Sequence, residues 1–95
     1  MSTKNNAERV EANSEPVEIT QAAGPDELMA AGLAFATGKG GSPVDYREAH
    51  KWFSLAALKG AEAAKTYRQD MSEQLSASDL RMAQRQAREW LKKAN

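Results

Sequence analysis

The sequence predicts an all-α protein, and three observations predict it. Apolar residues recur at helical spacing in four successive stretches, and those stretches are bounded by capping and helix-breaking residues. The short alternating stretch Val17-Glu18-Ile19-Thr20 could pair with a partner's sheet edge, but four residues alternate in this way often by chance, so it is read as part of an unstructured tail. The expected architecture is two antiparallel helical hairpins after a disordered N-terminal tail, with helices near residues 25–37, 45–59, 61–75 and 77–93.

Residues 1–24 show no sustained apolar period and are rich in Asn, Ser, Glu and Thr, so they offer little to offset the entropy of ordering. They are expected to form a disordered acidic tail ahead of a helical domain over 25–95. Charge divides the same way. Residues 1–30 hold six acids (Glu8, Glu11, Glu15, Glu18, Asp26, Glu27) against two bases, whereas 31–95 hold eleven bases against seven acids.

The first helix opens at Pro25, where a missing amide donor costs nothing, and Asp26 and Glu27 complement the positive end of the helix dipole. Leu28, Gly32, Phe35 and Ala36 follow at helical spacing until Gly38, and GKGGSPVD is too glycine-rich to continue the helix. Asp45 is placed to cap the second helix, with Glu48 completing a variant of the capping box and Gly60 stopping the far end. Ala49, Trp52, Phe53, Ala56 and Ala57 form one stripe that demands burial, the alanines allowing close backbone approach while the rings fill the space between.

The third helix carries Ala64, Tyr67, Met71 and Leu75 on one face. Ser76-Ala77-Ser78-Asp79 is a second capping pattern, opening a fourth helix with Leu80, Ala83, Ala87, Trp90, Leu91 and Ala94 turned inward.

Gly32, Phe35, Gly38 and Gly40, then Ala49, Trp52, Phe53, Ala56, Ala57, Gly60 and Ala64, follow the pattern G-x-x-Y-x-x-G-x-G and A-x-x-W-Y-x-x-A-A-x-x-G-x-x-x-A. In this the chain resembles the Sel1-like repeat family, relatives of the tetratricopeptide repeats whose helix pairs stack into solenoids. The resemblance spans about residues 27–64, and ASDLRMAQRQAREWL looks like the helix that closes short bacterial members. Ala31 stands where leucine is usual, Phe35 and Phe53 replace tyrosines, and the loop GGSPVD is one residue longer. The resemblance implies a non-enzymatic adaptor or scaffold that binds another protein.

Two surfaces are candidates for that contact. Arg81, Arg85, Arg88 and Lys92 fall at i, i+4, i+7 and i+11 on the last helix, a basic stripe suited to an acidic partner or, alternatively, to nucleic-acid phosphates. Met29 and Leu33, at i and i+4 on the first helix, have no evident partner within the chain and are expected to mediate stacking on another protein or homo-oligomerisation. A structural subunit of a larger complex is a third reading. The acidic tail, finally, is complementary in charge to the last helix and could fold back over it.

No catalytic, cofactor or metal site is expected. His50 is the single histidine, and Ser54 follows at i+4, but a packing helix offers neither an orienting acid nor an oxyanion site. There is no second histidine to pair with it at a metal, no calcium-loop spacing, and no cysteine for thiolate chemistry. GKGG lacks the spacing of a phosphate loop and follows a helix, not a strand. Bases and acids balance at thirteen each, against a general affinity for nucleic acid or membranes. Without a charged start leading into an apolar run, or any long apolar stretch, the expected location is cytoplasmic.

Overall fold

The computed structural model describes residues 19–41 and 43–93. They form α1 (Pro25–Thr37), a short 3-10 turn (Lys39–Gly41), α2 (Tyr46–Leu58), α3 (Ala63–Glu73) and α4 (Ala77–Lys92). Among the described residues there is no strand, and no helix is long and apolar enough to cross a membrane.

Local chemistry sets the helix ends. In α1 the Gly24 N–H donates to Glu27 Oε1 at 3.0 Å, satisfying a donor that the first turn would otherwise orphan. For α2, Asp45 Oδ1 accepts from the backbone N–H groups of Arg47 and Glu48, both at 3.1 Å. Glu48 does not complete the expected capping box. Its carboxylate instead accepts from Trp52 Nε1 at 3.2 Å and pairs with Lys51 at 3.0 Å, because a helix brings residues three and four apart together.

At the exit of α2, Gly60 N–H reaches Ala57 O at 3.1 Å and Ala61 N–H reaches Ala56 O at 2.9 Å, the two bonds of a Schellman stop. That geometry requires the positive φ of Gly60, 113°, which a residue with a Cβ adopts only at a cost. Ser76 Oγ caps α4 by accepting from Asp79 N–H at 3.1 Å.

The core is organised around α2, against which α1, α3 and α4 all pack. Its two adjacent rings serve different neighbours. Phe53, fully buried, lies stacked on Tyr67 of α3 with ring centroids 5.3 Å apart. Its ring also lies directly over Gly32 of α1, where an added Cβ would come within 2.6 Å of the ring carbons. Trp52 meets Trp90 of α4 edge to face at 5.7 Å, an arrangement aromatic quadrupoles favour. Leu28 of α1, Leu55 of α2, Ala64 and Met71 of α3, and Ala83 and Ala87 of α4 complete the buried set.

Of the two expected helix pairs, α1 packs on α2, but α4 is laid against α2 as well, and no comparable packing joins it to α3, with which it was expected to pair. The stripe on α2 is also wider than expected, since Leu55 and His50 are buried beside Ala49, Trp52, Phe53 and Ala56. A helix with neighbours on several sides buries more than one stripe.

A second correction concerns the start of the helical body. Residues 19–24 were expected within the disordered tail, but four of them are buried or half-buried and only Thr20 and Ala22 are exposed. Ala23 is buried, and Ile19 lies half-buried against the core cluster. Gln21 Nε2 donates to Trp90 O at 3.3 Å, and Lys59 Nζ donates to the carbonyls of Gln21 and Ala23 at 3.0 and 3.2 Å. The body therefore begins by Ile19; the remainder of the expected tail, residues 1–18, lies outside the described residues.

Candidate functional site

The arginines at 81, 85 and 88 and Lys92 are all exposed on α4, while Ala83 and Ala87 on its other side are buried. The spacing expected from the sequence thus becomes one solvent-facing cationic row about 16 Å long, at the 1.5 Å rise of a helix. Toward the N-terminal half of α4 the row borders an open groove of about 330 Å³ lined by Ser78, Arg81, Met82, Arg85 and Arg88.

None of the four cations lies within 4.0 Å of a carboxylate among the described residues. The nearby Asp79 is engaged elsewhere, 3.7 Å from Arg47 Nη1 of α2. Arg47 Nη1 also donates to Met82 Sδ at 3.0 Å, so α2 adds a fourth guanidinium, and a fifth cation, next to the groove. This contribution was not legible in the sequence, because Arg47 sits thirty-five residues from Met82 and nothing in its local pattern marks it. Among the described residues, Arg47 Nε and Gln86 Oε1 are buried without a hydrogen-bond partner.

The row can do specific chemistry. Three guanidiniums present fork-shaped donors that match carboxylates or phosphates bidentately, and among the described residues their side chains enter no ion pair.

Met29 and Leu33 are placed differently from the expectation of an open apolar face. Both are half-buried and packed against the core cluster, and the large apolar residues left exposed are Val44, Tyr46, Leu58 and Tyr67. The two candidate surfaces are therefore not equivalent: α4 presents exposed charge without a carboxylate partner among the described residues, whereas Met29 and Leu33 already spend much of their surface on this chain.

His50 is 3% exposed, and its Nδ1 lies 3.5 Å from Ser54 Oγ. Burial, reinforced by the Arg68 guanidinium, pushes the imidazole below its ordinary pKa. Among the described residues no carboxylate hydrogen-bonds to it, and no group of three or more His, Asp or Glu is close enough together to hold a metal ion.

In comparisons with known proteins, the chain matches no family model, no curated protein and no solved structure.

Proposed function

We propose that the protein is a non-enzymatic interaction module, of the Sel1-like helical-repeat kind, that binds an acidic segment of another protein along the exposed face of α4. The observation that carries this reading is the row Arg81, Arg85, Arg88 and Lys92, exposed and without carboxylate partners among the described residues. A helix whose opposite face is fixed on α2 holds the backbone of the row in place, so the cations are spaced along one face before a ligand arrives and the helix itself need not be ordered on docking. The repeat reading itself is supported by the residues from Gly32 to Ala64 and by the packing of α1 and α3 on α2. An acidic protein segment is favoured over nucleic acid because the chain's formal charge is zero, without the overall basic excess that drives phosphate-backbone binding.

The test is affinity capture from native lysate with the wild-type chain and with an Arg85→Glu/Arg88→Glu variant, each with and without nuclease. We expect a defined protein that survives nuclease and is lost by the variant. Equal recovery by the two chains would remove α4 as the contact face, and recovery abolished by nuclease would move the assignment to a polyanionic nucleic acid.

A further inference from the structure

We propose that the chain's own N-terminal segment, residues 1–18, occupies the basic face of α4 in the absence of a partner, so that an acidic ligand must displace it. The inference rests on the assignment of α4 as the contact face, but it concerns what covers that face beforehand, and its test requires no partner.

Three observations converge on this occupant. The first is where the chain enters the described structure. Ile19 packs against the core, and Gln21 is bonded to Trp90 O, so the segment departs beside the C-terminal end of α4, two residues from Lys92. The second is charge. Residues 10–20 contain Glu11, Glu15 and Glu18 and no base, and the basic residues of the segment, Lys4 and Arg9, lie farther from the body. The acidic half is the half tethered next to the cationic row.

The third is reach. Ten residues extend to at most about 33–36 Å, twice the roughly 16 Å from Lys92 to Arg81 along a helix, so Glu18, Glu15, Glu11 and Glu8 can all lie over the row. A short tether also places these carboxylates at an effective concentration in the millimolar range. Weak ion pairs, each worth little at a surface, then suffice for partial occupancy. Partial occupancy is what a displaceable cover requires, because a tightly held one would exclude the partner as well.

The experiment uses the full chain. It contains no cysteine, so Ser14→Cys accepts a nitroxide label at a single position, and paramagnetic broadening of backbone amides reads where the segment spends its time. We expect broadening along the Arg81–Lys92 face at about 0.01 M salt, where the Debye length is about 30 Å, and its loss at about 1 M, where it is about 3 Å. The same loss is expected at low salt when Glu11, Glu15 and Glu18 are all replaced by Gln.

Broadening confined to residues next to Ile19, or unchanged by salt and by the Gln substitutions, would overturn the proposal. So would α4 broadening that appears only when labelled chains are mixed with isotope-enriched unlabelled ones, since the occupant would then be a second copy. If the cover is present but the Arg85→Glu/Arg88→Glu chain still captures its partner, the inference stands as a property of α4 and the proposed binding face fails separately.

Discussion

At the scale of single residues, Gly32 shows why a close helix contact needs the absence of a side chain. In an exposed helix, alanine is better than glycine by about 1 kcal/mol. Here the added methyl would sit 2.6 Å from Phe53 Cδ1 and Cε1. The ring cannot yield easily, being fully buried and stacked on Tyr67. Overpacking therefore wins, and Gly32→Ala should lower stability by about 1–3 kcal/mol, read as an earlier urea midpoint. A midpoint at or above that of the parent would show that α1 can move away from α2 at little cost. Gly32 was legible in the sequence as a member of the inner face of its helix; that Phe53 is what it touches was not, since periodicity says which side is buried but not against which atom.

At the scale of elements, α2 joins the molecule through two neighbouring rings that diverge, Phe53 toward α1 and α3, Trp52 toward α4. Removing one should loosen one side. Trp52→Ala takes away the ring facing Trp90 and the donor to Glu48, and a large aromatic truncation of this kind costs about 3–5 kcal/mol. A thermal melt matching that of the parent would refute α2 as the core element.

The four helices could be read from the chain because their ends are written in short-range chemistry: Pro25, Asp45, Gly60 and Ser76 act on neighbours within a few residues. The docking of α4 on α2 could not, because an amphipathic face is compatible with several partners. Nor could the packing of residues 19–24, which rests on the side chains of Gln21 and Lys59 reaching backbone carbonyls, a signal with no period. Of the candidate surfaces, the exposure of the α4 row was legible from its spacing, while Met29 and Leu33 looked more exposed than they are, because the sequence alone does not reveal how much of each the core already covers.

At the scale of the whole molecule, His50 ties stability to pH. Burial and Arg68 hold its pKa below 6.5 in the folded chain, while the unfolded chain keeps the ordinary value of about 6.5. Above that value the imidazole is neutral in both states and exerts no pH dependence. As pH falls below it the unfolded chain takes up the proton first, so stability declines until the folded pKa is passed. Urea midpoints should therefore fall between about pH 7.5 and about pH 5.5, a window above the carboxylate range of about 4. His50→Gln should flatten that slope, whatever it does to the midpoint itself. An undiminished slope in the variant would assign the effect to other groups.

The strap from Ile19 to Gly24 turns a string of helices into a ring with a clasp. Gln21 and Lys59 fasten the beginning of the described chain to the ends of α4 and α2, across sixty-nine residues in the case of Gln21 and Trp90. A pull on the chain ahead of Ile19 would thus be borne first by the clasp and only afterwards by α1, so mechanical load arriving through the N-terminal segment would part Gln21 from Trp90 while α4 stays docked on α2 and the rings around Phe53 stay closed.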